Sequence, residues 1–143
     1  MKNLYFLILI YSLSIYTNTA TAQDPTVNFG YIPDTEYYSG GIAFNGYEVD
    51  LMISDEEDVE GYAIRAGYMA TLLSRRTSNL YVGPRIGYKY ENVFGESNST
   101  EGLFYEAAAG FHLSNFNFSL GYGYDQIAET EYVSLKFGIP LPG

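Results

Sequence analysis

From Leu103 onward the chain alternates. Leu103, Tyr105, Ala107, Ala109, Phe111 and Leu113 occupy one set of positions, and Phe104, Glu106, Ala108, Gly110 and His112 occupy the other. After Ser114 and Asn115 the alternation resumes, with Phe116, Phe118, Leu120, Tyr122 and Tyr124 against Asn117, Ser119, Gly121 and Gly123. Successive side chains of a strand point to opposite faces, so this stretch predicts two strands joined by a two-residue turn. Each strand has one apolar face and one small or polar face.

The same unit recurs along the chain. Strands are expected at 27–32, 37–44, 47–54, 60–73, 80–90, 103–113, 116–124 and 132–139. Asn45-Gly46 separates the second from the third and is a strong hairpin signal, because both residue types tolerate positive φ. Pro84 removes a ladder donor in the middle of the fifth strand and predicts a bulge or local distortion there. Eight consecutive strands in an up-and-down order imply an all-β, antiparallel barrel. The first, third, fifth and seventh connections are longer and acidic, whereas the second, fourth and sixth are tight or basic, the fourth carrying Arg75 and Arg76.

Alternation alone does not say which face is inside. A soluble sandwich or a lipocalin-like barrel that holds an apolar ligand shows the same pattern with its greasy side inward. Three features favour the reverse. The polar face carries Gly67, Gly83, Gly87, Gly110, Gly121, Gly123 and Gly138, where a solvated sheet would carry Thr, Lys and Glu. Such small residues leave room for Arg65, Arg85, Lys89 and Lys136 to lie across a narrow lumen and meet Glu48, Asp50 and Glu106; charges in a low-dielectric interior are tolerated when paired. The apolar face, in turn, gathers Tyr38, Tyr62, Tyr88, Tyr90, Tyr105, Tyr122 and Tyr124 near the long connections, as an aromatic girdle would. Long loops at one end and short turns at the other is also the asymmetry of transmembrane β-barrels.

The remaining composition narrows the picture. Residues 1–22 hold one charge, Lys2, an apolar run from Leu4 to Ile10 and the small-x-small sequence Ala20-Thr21-Ala22. They read as a cleaved secretory signal peptide, which leaves a domain of residues 23–143. The run is interrupted well short of the roughly 20 apolar residues a membrane helix needs, so any insertion is by strands. After cleavage, six basic residues against seventeen acidic ones give a net charge of −11, which argues against nucleic acid as a partner. The chain has no cysteine, so neither disulfides nor thiolate metal sites hold it together.

The alternating strands, the tight Asn45-Gly46 and Ser114-Asn115 turns and the inward Arg, Lys and Glu set resemble the small eight-stranded outer-membrane barrels of the OmpA/OmpX type. The Tyr- and Gly-rich style resembles the barrel domains of Bacteroidota-type bacteria. The chain departs from the resemblance at its C-terminus, where Gly138 to Gly143 replace a terminal aromatic. The resemblance implies an eight-stranded antiparallel up-and-down transmembrane β-barrel in the outer membrane, a monomer in contact with outer-membrane lipid. It further implies a structural, adhesive or loop-mediated interaction role and a lumen plugged by side chains, since eight strands do not leave a wide pore.

Little in the sequence points to chemistry. The sole histidine, His112, faces the lumen near a short turn, away from the outer rim where lipid-modifying barrels resembling this one keep their catalytic residues, so a structural hydrogen bond is its expected role. Gly121-Tyr122-Gly123 and the segment from Gly83 to Gly87 lack the strand-to-helix context of a phosphate-binding loop, and no cofactor is expected. Asp55-Glu56-Glu57-Asp58 lacks the order of an EF-hand loop. The four long connections together carry thirteen acids and no base, which leads to an expectation of loose divalent-cation association at the outer loops.

Overall fold

The computed structural model describes residues 25–95, 97–113 and 115–141. The signal-peptide segment 1–22 and Ser114 of the predicted turn lie outside them. The chain runs as β1 (Thr26–Ile32), β2 (Tyr37–Phe44), β3 (Tyr47–Ser54), β4 (Val59–Tyr68), β5 (Ala70–Ser74), β6 (Ser78–Val93), β7 (Ser99–Leu113), β8 (Phe116–Asp125) and β9 (Thr130–Pro140). Strands adjacent in sequence pair antiparallel except β4 and β5, which both pair with β6, and β1 pairs with β9. The sheet is therefore closed, with β4 and β5 forming a single bent stave among eight. The short first strand completes the closure, and Phe29 lies opposite Phe137.

The predicted strand at 60–73 is divided at Met69, and Pro84 gives the reason. Positions 67, 70 and 71 pair with 85, 82 and 81, so the missing pairs are Tyr68 and Met69 opposite Pro84 and Gly83. On its other side Pro84 keeps an unbroken register with Ala107. Without an N–H, Pro84 offers nothing to the neighbouring carbonyl. Met69 turns instead to the hairpin beside it and donates its N–H to the Gly46 carbonyl at 2.7 Å. The distortion foreseen at Pro84 thus appears in the facing stave. Gly83 admits the displaced backbone, because a Cβ there would overlap the Tyr68 carbonyl and stand 2.9 Å from the Met69 Cα. Backbone does not move aside as a side-chain tip does. Gly83→Ala is expected to destabilise the barrel by about 1–3 kcal/mol, the range for overpacking, read from the urea midpoint of the folded band on gels.

At the turn end, Asn45 and Gly46 have φ of 52° and 85°, the pair of left-handed residues a two-residue hairpin requires. At the loop end the strands run further than expected. The segment 91–102, read as the longest connection, is mostly strand, since Tyr90 pairs with Glu101 and Asn92 with Ser99. Only 94–98 connects β6 to β7.

The barrel is inverted relative to a soluble one. Arg65, Arg85, Glu106 and Asp50 are among its most completely buried side chains, whereas Ile42, Leu51, Ile86 and Leu120 are exposed on the outer wall.

Candidate functional site

The lumen is where the sequence concentrates its charge, and the cross-strand ladder shows how the charges fit. Glu48, Gly67, Arg85, Glu106 and Gly123 are successive partners across five staves. Gly41, Asp50, Arg65 and Gly87 form a parallel row. Long charged side chains lie over the glycines beside them. A Cβ on Gly67 would stand 2.7 Å from the Arg85 Cγ, and one on Gly121 would stand 2.6 Å from a Glu106 carboxylate oxygen.

Six of the seven predicted lumen residues meet in one layer. Arg65 donates from Nε and Nη2 to Asp50 Oδ2 at 3.0 and 2.8 Å, and from Nη1 to Glu106 at 3.2 and 3.3 Å. Arg85 donates from Nη1 to Glu106 at 2.8 Å and from Nε to Glu48. Lys136 Nζ reaches Glu48 at 2.9 Å and Asp50 at 2.8 Å. Three carboxylates face three cations, so the layer is neutral. Neutral side chains finish it. Ser119 accepts from Arg85 Nη2 at 2.8 Å, and Ser134 donates to Glu106 at 3.0 Å.

Lys89, the seventh, sits apart toward the loop end. Its ammonium pairs with Glu91 at 2.9 Å and with Asp125, and lies 5.2 Å from the centre of the Tyr37 ring. Tyr37 donates its hydroxyl to Glu91 at 2.9 Å. Asp125 and Glu91 border connections and by sequence count among the thirteen acids of the long connections; both lie inside strands, and Asp125 is buried in the lumen. The other oxygen of Asp125 accepts from the backbone N–H groups of Ile127 and Ala128 at 2.9 and 3.1 Å, which shapes the β8–β9 loop.

Level with Lys89, on the loop side of the ionic layer, lies an apolar stratum that glycines and ion pairs do not account for: Ile32, Tyr37, Met52, Ala63, Phe104 and Tyr132, all buried. Each occupies an inward position two residues nearer the loop end than a member of the polar face, as Met52 does above Asp50 and Phe104 above Glu106. Phe104 lies across Gly87, and its ring meets Tyr132 edge-on at 6.3 Å. At the turn end His112 faces Asn117, the two joined by a hydrogen bond between Nδ1 and Oδ1.

On the outer wall, Tyr38, Tyr62, Tyr88, Tyr90 and Tyr122 are exposed, and Tyr105 and Tyr124 are half-buried against each other at 6.1 Å. Tyr31, not among the expected girdle residues, stacks on Tyr38 at 4.7 Å. Three of the phenols donate to carboxylates nearer the loops: Tyr62 to Glu60 at 2.9 Å, Tyr88 to Glu101 and Tyr122 to Glu131. Among the described residues, no group of three or more His, Cys, Asp or Glu is arranged to hold a metal ion.

The chain matches no protein-family model and no curated protein. Among solved structures it is similar to the N-terminal β-barrel domain of Pseudomonas aeruginosa OprF, at 14% identity over 85% of this chain and 100% of that one, with a TM-score of 0.55. It is also similar to Ail, the attachment invasion locus protein of Yersinia pestis, at 14% identity over 83% of this chain and 93% of that one, with a TM-score of 0.44. Identity this low speaks to fold. The fold is the small eight-stranded antiparallel β-barrel of the OmpA/OmpX type.

Proposed function

We propose that the protein is an integral outer-membrane barrel, exported through a cleaved signal peptide, whose role is structural, adhesive or mediated by its acidic loops. The inverted burial carries this reading. Leu51 and Ile42 are 67% and 65% exposed while Arg65 and Glu106 are 1% exposed, an arrangement that water would penalise at both surfaces and a bilayer would favour. The dimensions agree. Ten residues of β8 span roughly 33 Å at the usual strand rise, and a tilt of about 40° brings that to about 25 Å, the height of the apolar band of such barrels.

In this reading the outward tyrosines occupy the headgroup level at the loop end, their rings in the acyl boundary and their hydroxyls on Glu60, Glu101 and Glu131 at the wet edge. Loose divalent cations would associate with the acidic loops above them. The lumen is plugged. Cavities of about 20 and 10 Å³ lie toward the turn end and the loop end of the lumen, each far too small for an apolar ligand or a hydrated ion.

Cell fractionation followed by gel electrophoresis with and without boiling tests the assignment. The protein should partition with outer membranes, require detergent for extraction and change apparent mass on boiling; extraction in aqueous buffer would overturn the reading. In a planar bilayer, a large and stable conductance would overturn the plug.

A further inference from the structure

The two small cavities differ in kind. The one at the turn end, about 20 Å³, lies beneath the Asn45–Gly46 hairpin and is lined by Asn28, Tyr81, Asn117, Ser119 and Lys136 among others. Asn28 is 4% exposed, and its side-chain Nδ2 has no hydrogen-bond partner among the described residues. An amide nitrogen buried without a partner costs on the order of 1–3 kcal/mol. A water needs roughly 10–15 Å³ and two to four polar partners. The turn-end cavity meets both conditions, since Ser119, Asn117 and Lys136, each with a polar side chain, line the same partly polar space.

The cavity at the loop end, about 10 Å³, presents only apolar atoms of the stratum around Met52, Ala63 and Phe104. Its charged neighbours, Lys89 and Asp125, are bound to each other. The Tyr132 hydroxyl in this stratum interacts with Glu106 of the ionic layer, and the space beside the ring is at the lower limit for a water and presents only apolar atoms.

We propose that the lumen binds an internal water at its turn end, held by the Asn28 side-chain amide, and is dry at its loop end. The ion-pair layer between them then meets solvent from the turn end alone. This inference concerns the lumen and does not rest on where the barrel resides.

Water-selective NOE and ROE spectroscopy of the isotopically labelled chain in detergent micelles tests it. A dipolar cross-peak with the sign of a bound water is expected at the Asn28 side-chain amide, and none at the Met52 and Ala63 methyls or the Tyr132 ring. Absence of the Asn28 cross-peak overturns the site, and cross-peaks at Met52 or Ala63 overturn the one-sided access. Asn28→Val should abolish the water cross-peaks of Asn117 and Ser119 as well; their persistence would mean that Asn28 does not hold the water. If that variant fails to fold, the unsubstituted spectrum decides alone.

Discussion

Glu106→Ala is expected to destabilise the barrel by about 3–5 kcal/mol, the cost of leaving a buried charge without its partner. Glu106 is the one carboxylate that accepts from both guanidinium groups, and it also receives the Ser134 hydroxyl. Its loss leaves Arg65 on Asp50, Arg85 on Glu48 and Lys136 shared between those two acids, so three cations face two carboxylates in a layer of buried side chains. Glu106→Gln should recover only part of the loss, since it restores shape and an acceptor without the charge. Replacing Glu106 and Arg65 together by apolar residues of similar volume should recover most of it, because the remaining cations and anions again balance. The chain lacks tryptophan, so the fraction folded is best read from urea-dependent gel mobility. A loss below about 1 kcal/mol for Glu106→Ala would place the pair among surface-like salt bridges and remove the network from the account of stability.

The reason this network was legible in the sequence is that each strand's own alternation separates an apolar face from a small or polar one. Glu48, Asp50, Arg65, Arg85, Glu106 and Lys136 each fall on the small or polar face of their own strand. Partner choice was less legible, because it depends on stagger between strands that are distant in sequence. Lys89 shares the parity of Arg85 but lies four residues nearer the loops, where Asp125 and Glu91 meet it in place of the central acids. The apolar stratum had the right parity as well. Phe104, Met52 and Tyr132 share a face with Glu106, Asp50 and Lys136 on their own strands, and the packing of Phe104 over Gly87 turns them into a seal.

Two errors have a common cause. The polar run 99–102 looks like a loop when local composition is the guide, but beyond the apolar band a strand needs neither a greasy face nor a core, and pairing between β6 and β7 is sufficient. The break at Met69 is likewise set by a residue on another strand, since the N–H missing at Pro84 is felt by the carbonyl opposite it. Backbone pairing across strands carries information that a linear pattern does not hold.

Leu120→Arg separates a bilayer from water as the solvent of the outer wall. Leu120 lies midway along β8, between Phe118 and Tyr122, with Ala109 and Leu135 as its cross-strand neighbours. It is 48% exposed, so an arginine there meets no steric obstacle, and in water its guanidinium would be solvated at nearly no cost. At the middle of a lipid bilayer the same substitution costs about 2–4 kcal/mol, and near either interface about 0–1 kcal/mol. Ile139→Arg supplies the second point on that scale. Ile139 is also 48% exposed but sits beside the end of β9, at the turn rim. Folding free energies measured in lipid vesicles should therefore fall strongly for Leu120→Arg and little for Ile139→Arg. Equal and small losses at the two positions would mean that no low-dielectric slab surrounds the barrel. Equal and large losses would instead mark both as packing defects. Only the graded result ties the exposed leucines and isoleucines to acyl chains.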